Sequence, residues 1–92
     1  MEIPFEWDPA KAEANFRKHR VTFDEATTAF ADPLHLLVAD PEHSTGEERW
    51  ILVGRSHQER LLVVVHAERG DRLRIVSARR ATAAERKTYE QR

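Results

Sequence analysis

The segment from Leu73 to Thr82, LRIVSARRAT, restricts the possible folds more than any other stretch. It begins with strand chemistry, since Leu73, Ile75 and Val76 suit a pleated, half-buried surface. It ends with helix chemistry, since Thr82 followed three residues later by Glu85 is a capping box. A strand running directly into a helix start delivers Arg79 and Arg80 to the junction. Under strict alternation of side chains, Leu73, Ile75, Ser77 and Arg79 share one face, and Arg74, Val76, Ala78 and Arg80 share the other. Neither face is then cleanly apolar. Either something near the strand needs positive charge, or the arginines are solvated ends whose apolar stems lie on the core.

The elements upstream follow from caps and periods. Phe5 and Trp7 around Glu6 read as a short edge strand or an extended arm. Asp8-Pro9 starts a helix, because Asp caps and Pro suits the first turn. That helix is expected over 9–19, with Ala12, Phe16 and His19 inward and cations from Arg17 to Arg20 at its C-terminus. No Gly closes it, so Arg20 must stop it another way. Thr22-x-x-Glu25 is a second capping box, and Phe23, Ala26, Ala29 and Phe30 form the buried stripe of a helix ending near Ala31, before Asp32-Pro33. These two helices are expected to pack as a hairpin. Strands are expected over 34–39, 49–54, 60–67 and 72–79, with the apolar run Leu61–Val65 central. The polar loop 40–48 and the turns at 55–59 and 68–71 connect them, with Gly70 free to take positive φ. A helix over 83–91, anchored by Tyr89, ends the chain. The expectation is a single α+β domain over residues 1–92: two N-terminal helices, a four-stranded, largely antiparallel sheet and a C-terminal helix. One sheet face is left for water, a ligand or a partner.

Composition narrows the function. The chain has 92 residues and no cysteine, which removes disulfides and thiolate chemistry and fits a cytoplasmic protein. Its N-terminus is acidic, without the apolar run of a signal peptide, and Leu61–Val65 is far too short to span a membrane. The formal net charge of -1 argues against a protein that coats DNA. The charge is uneven: residues 1–68 sum to -6 and residues 69–92 to +5. A basic end on an acidic body suits a local phosphate contact, the acidic part of a partner, or a second copy.

The five histidines show no helical metal-ligand spacing, no Gly-rich phosphate loop is present, and no nucleophile elbow surrounds Ser44, Ser56 or Ser77. No metal and no cofactor are therefore expected. Phosphodiester chemistry on RNA fits the residues better. RNA carries its own nucleophile, the 2′-hydroxyl, so a protein needs a base, cations for the pentavalent phosphate and an acid for the leaving oxygen. His43, Arg49, Arg74 and Arg79 are the right types, because His titrates near neutrality and Arg forks match phosphate oxygens. Glu47 is a reserve base. Each also has a plain reading as a loop cap or a surface ion pair. Trp50 and Tyr89 are suited to stacking on a base, or to anchoring a core or interface.

A resemblance adds to this reading. Phe5-Glu6-Trp7-Asp8-Pro9-x-Lys11-Ala12-x-x-Asn15, Lys18-His19 and Val21-x-Phe23-x-Glu25-Ala26 resemble the start of the BrnT family of toxins. Phe30-x-Asp32-Pro33, Asp40-x-x-His43, Glu48-Arg49 and Gly54-x-Ser56 are similar to its middle. Leu61–His66, Arg74-Ile75-Val76-Ser77-Ala78-Arg79-x-Ala81-Thr82, Glu85-Arg86 and Tyr89 are similar to its end. The resemblance implies a RelE-like fold and a metal-independent endoribonuclease that arrests translation and growth. It implies a DNA-binding BrnA-like antitoxin as partner, operator DNA contacted only through that complex, and a possible homodimer within it. The matching polar positions are His43, Glu48, Arg49, Arg74, Ser77 and Arg79, with Lys18 and His19. Arg49, Arg74 and Arg79 are expected to hold phosphate and His43 or a nearby Glu to move the proton, while Lys18, His19, Ser77 and Arg80 are expected to contact RNA. Two places depart from the family: Arg20 stands where Gly commonly follows Lys-His, and Gln58-Glu59-Arg60 has none of the Gly often found before the next strand. Two other readings compete, a catalytically inactive protein that binds an antitoxin or acts as corepressor, and a nucleic-acid binder in its own right.

Overall fold

The structure, a computed structural model, describes residues 4–40 and 47–91. The first helix, α1 (Pro9–His19), is capped by Asp8, whose carboxylate accepts the Ala10 amide at 2.9 Å. Arg20 ends it by adopting the left-handed conformation itself (φ 59°), its amide donating to Phe16 O at 2.8 Å. Its guanidinium lies over the Phe16 ring, 5.3 Å from the centroid. Phe16 is 40% exposed instead of inward, and the buried residue of α1 is Asn15.

The second helix, α2 (Phe23–Thr28), continues as a 3-10 turn, Ala29–Ala31. Thr22 Oγ1 accepts the Glu25 amide at 3.0 Å, but only half of the expected capping box forms. The Glu25 carboxylate turns into the protein instead. It accepts from Ser56 Oγ at 2.6 Å, from Arg60 Nε at 2.9 Å and from Arg60 Nη2. The Arg60 fork holds its pKa below the ordinary range despite burial. The two helices do not form a helical hairpin: each packs chiefly on β5 (Arg72–Arg80).

The other strands are β1 (Phe5–Glu6), β2 (Leu36–Ala39), β3 (Arg49–Arg55) and β4 (Leu61–Arg69). They form one sheet in the order β1-β5-β4-β3-β2, antiparallel except where β1 joins β5 in parallel. The expected four-stranded sheet thus gains a fifth strand from the N-terminal arm, which pairs Phe5 with Leu73 and Glu6 with Arg74. The remaining boundaries fall within two residues of those read from the sequence. Gly70 has φ 63° in the β4–β5 turn, as its place there requires. Glu59 takes φ 62° before β4, filling a left-handed position that suits glycine. Gly54 serves differently: a Cβ there would sit 2.7 Å from Ala29 O, so its absence lets the 3-10 turn lie on β3.

The core forms where α1 and α2 cover one sheet face. Val21, Phe23 and Ala26 meet Leu62, Val64, Ile75 and Ala78. Phe5 stacks edge-on against Phe30 at 5.0 Å and Trp7 against Phe23 at 5.9 Å, which fixes the N-terminal arm. β1 is too short to cover the outer edge of β5 beyond Arg74. Asn15 covers it at Ala78: its Nδ2 donates to Ala78 O (2.8 Å) and Val21 O (3.0 Å), and its Oδ1 accepts the Ala78 amide (3.0 Å). Asn15→Ala leaves three buried backbone groups without a partner, at roughly 1–3 kcal/mol for each such group. We expect a loss of about 3 kcal/mol in urea unfolding, against less than 0.5 kcal/mol for the exposed neighbour in Ala14→Ser.

Candidate active site

A β-bulge decides what lies on the other face of the sheet. Ile75 pairs with His66 and Ser77 with Val65, so Val76 is an extra residue on β5. The bulge reverses the alternation there. Leu73, Ile75 and Ala78 all turn to the helix-covered face, spaced two and then three apart. Arg74, Ser77 and Arg79 turn together to the opposite face. This corrects the strict alternation read from the sequence, under which Arg74 and Arg79 point to opposite sides. The reason is burial: Ile75 and Ala78 reach 1% and 0% exposure, and only an inserted residue lets both face one core.

On this second face Arg49, Ala67 and Arg74 stand in one row across β3, β4 and β5. The two arginines are two strands apart, about 10 Å between backbones, with only the buried methyl of Ala67 between them. Arg49 Nε lies 3.8 Å from Glu47 Oε1, and Arg74 Nη1 lies 3.4 Å from Glu6 Oε2. Ser77 and Arg79 follow along β5. The last helix, α3 (Ala83–Glu90), packs over the far end of this face, where Tyr89 is buried and its hydroxyl donates to Asp32 Oδ2 at 2.5 Å. Tyr89 is thus an anchor, with the Arg55 guanidinium 5.8 Å from its ring centroid.

Arg79 has a different setting. Both ends of its fork engage Glu85 of α3, each at 2.8 Å. Glu85 Oε1 also accepts the Thr82 amide at 2.8 Å, completing the capping box. The Arg79 fork holds the Glu85 carboxyl down at about 2. A depressed carboxylate stabilises the fold above its unfolded value near 4.5, and that stabilisation disappears as the pH falls toward 2. We expect Glu85→Gln to lose about 1–2 kcal/mol at pH 7, after allowance for solvent screening. The gap from wild type should shrink toward zero below pH 2, as measured by urea unfolding across that range.

Of the residues expected to act on RNA, the structure brings Arg49, Arg74, Ser77 and Arg79 to one face. It places Lys18 and His19 at the end of α1, against the opposite face, where β5 also directs Arg80. His43 lies outside the described residues, in the segment between Asp40 and Glu47. Glu47 Oε1 lies 3.8 Å from Arg49 Nε, and Glu48 is exposed beside it. His66 is not part of this face. It is buried under Phe30, 4.8 Å between ring centroids, and burial pushes its pKa below the ordinary histidine range. His66 and Trp50 line a cavity of about 290 Å³ on the helix side, with Phe30, His35, Leu37 and Leu52.

Three residues of the open face escaped the sequence reading: Glu6, Arg69 and Arg72. Arg69 and Arg72 pair across the β4–β5 turn, and Glu6 lies 3.9 Å from each guanidinium Nε. The turn is expected over 68–71; the structure tightens it to Gly70-Asp71, and that places Arg69 opposite Arg72. The parallel pairing of β1 was not legible in the sequence, and it alone brings Glu6 to them.

Among the described residues, no group of three His, Asp or Glu side chains could hold a metal ion, and no helix is long and apolar enough to cross a membrane. No curated protein matches the chain significantly. The fold is similar to that in the crystal structure of the Brucella abortus ribonuclease toxin BrnT, at a TM-score of 0.64 and 19% identity, over 88% of this chain and 99% of that one. The family model for the ribonuclease toxin BrnT of type II toxin–antitoxin systems matches residues 7–85. With nearly the whole domain inside that match, and with a face of arginines left open beside the sheet, the chain belongs to the BrnT family of ribonuclease toxins, whose members pair with an antitoxin.

Proposed function

We propose that this toxin cuts RNA at a phosphate held between Arg49 and Arg74, without a metal ion. The row across β3, β4 and β5 carries the reading: two guanidiniums flank a small residue on a face that α1 and α2 do not cover. In the reaction the 2′-oxygen bonds to phosphorus as the bond to the 5′-oxygen breaks. A base removes the 2′-proton, and the departing 5′-oxygen takes a proton from an acid. The products are a 2′,3′-cyclic phosphate and a 5′-hydroxyl. Arg49 and Arg74 offset the charge that grows on the equatorial oxygens. His43 or Glu47 serves as base: Glu47 Oε1 lies 3.8 Å from Arg49 Nε, and His43 is one of the polar positions the family resemblance carries. Ser77 adds a neutral donor further along β5. Arg79 braces α3, because Glu85 fills both sides of its fork. Lys18, His19 and Arg80 stand outside this site.

The proposed partner is a BrnA-like, DNA-binding antitoxin that covers the same face, with operator DNA reached through the complex and two toxin copies within it. Purified toxin incubated with RNA and a chelator should give cyclic-phosphate ends, and the antitoxin should stop it. Cleavage that ceases in chelator and returns with added magnesium would sink the metal-free mechanism. One observation favours a second reading: Arg49, Arg74 and Arg79 each have a carboxylate within 4 Å. A chain that binds antitoxin tightly yet leaves free and ribosome-bound RNA intact would be a corepressor and not a nuclease.

A further inference from the structure

We propose that Arg69 and Arg72, one row along from Arg74, form a second phosphate site beside the reacting one, for the adjoining phosphate of a single-stranded RNA, and that Glu6, set among all three arginines, is its built-in counter-ion. The inference rests on the open face taking RNA. Three guanidiniums gather around one carboxylate: Arg69 Nε and Arg72 Nε lie 3.9 Å from Glu6 oxygens and Arg74 Nη1 lies 3.4 Å away. None of these is a close fork, unlike the paired 2.8 Å contacts of Arg79 with Glu85. Among the described residues one carboxylate, Glu6, meets three forks it cannot fill, which leaves these four side chains with a surplus of two positive charges. Arg69 and Arg72 have side chains 51% and 56% exposed, free to turn toward a ligand.

The register selects phosphate as that ligand. Arg69 and Arg72 form one row, and Arg49, Ala67 and Arg74 form the next row on the same face. Same-face rows are two residues apart, about 6.7 Å along a strand. That is close to the separation of successive phosphates in an extended single strand. A chain of RNA running along β5 thus meets cations at consecutive phosphates, and guanidinium forks match their oxygens. Glu6, on the edge strand β1, neutralises part of this charge when RNA is absent and competes with the entering phosphate.

The test uses the full chain and an RNA oligonucleotide fully 2′-O-methylated, so that binding is read without cleavage. Its affinity is measured against NaCl concentration for wild type, the double variant Arg69→Ala/Arg72→Ala, and Glu6→Gln. Loss of one phosphate contact should reduce the slope of log K against log[salt] by about 0.7, with roughly tenfold weaker binding at low salt. Glu6→Gln should tighten binding several-fold at low salt; β1 pairs through its backbone, and a Tm lowered by no more than the few degrees that exposed ion pairs are worth verifies that it stays paired. An unchanged slope and affinity in the double variant overturns the site. Intact RNA binding with loss of antitoxin binding overturns it too, and assigns the cluster to an acidic protein partner. Weaker binding by Glu6→Gln overturns the counter-ion role. Arg49→Ala, assayed on cleavable RNA, separates the two proposals: normal cleavage there, with a phosphate lost in the double variant, keeps this site and moves the reacting centre elsewhere.

Discussion

Arg74→Ala is expected to slow RNA cleavage by about 10²–10³-fold, the usual loss when one preorganised donor to a developing charge is removed. Stability should change far less than activity. The Arg74 pair with Glu6 is open to solvent, with side chains 27% and 29% exposed, and such pairs are worth about 1 kcal/mol or less. In a domain of this size that is a Tm shift of roughly 5 °C. Arg74→Lys keeps the charge but loses the fork, so it should recover only part of the rate. Single-turnover cleavage beside a thermal melt is the measurement. Wild-type cleavage by Arg74→Ala in a folded protein would remove this row from the reacting centre. The same assay on Arg79→Ala gives a contrast. Freed from Arg79, Glu85 loses its bidentate partner, so that variant should lose stability first and activity mainly through misplacement of α3.

Arg60→Ala is expected to be the most destabilising single change, at about 3–5 kcal/mol. Glu25 is 2% exposed, and Arg60 supplies two of its three side-chain donors. Removing Arg60 leaves a buried carboxylate with Ser56 alone. Arg60 Nη2 also donates to Arg20 O at 3.2 Å, so the left-handed end of α1 loosens as well. A Tm lower by about 15–25 °C should follow. Replacing both partners by apolar residues, Glu25→Leu with Arg60→Met, should recover much of the loss, because no charge is then left buried. A single-variant loss under 1 kcal/mol would show that the pair is well solvated and that the anchoring of α2 to the β3–β4 turn lies elsewhere. The pair holds the helix layer to the sheet on the side away from the arginine face, so antitoxin binding and cleavage should fall only as the folded fraction falls.

Local chemistry was legible in the chain. Asp8-Pro9, Thr82-x-x-Glu85 and the Gly70 turn act within a few residues, and each formed as read. Short apolar runs bounded by turn residues located β3, β4 and β5 to within two residues, because strands buried in a sheet leave such runs in the sequence. Glu25 misled for an instructive reason. Its spacing from Thr22 suits a capping box, but a charged partner 35 residues away at Arg60 competed for the carboxylate and won. Phe16 misled likewise: its spacing points inward, yet the polar Asn15 is the buried residue, since the uncovered edge of β5 needs donors and an acceptor more than it needs a ring.

The sequence by itself determined the family, the caps, the turns and which residue types gather toward the C-terminal end. The tertiary structure alone decided which of those cations share a face. That depended on one inserted residue, Val76, placed between two fixed points on β5: the pairing of β1 at Leu73 and Arg74, and the Asn15 clamp on Ala78. Both are long-range contacts with no local signature. Because side chains on a strand alternate, a single extra residue between them turns Arg74 from the face opposite Arg79 to the face they share.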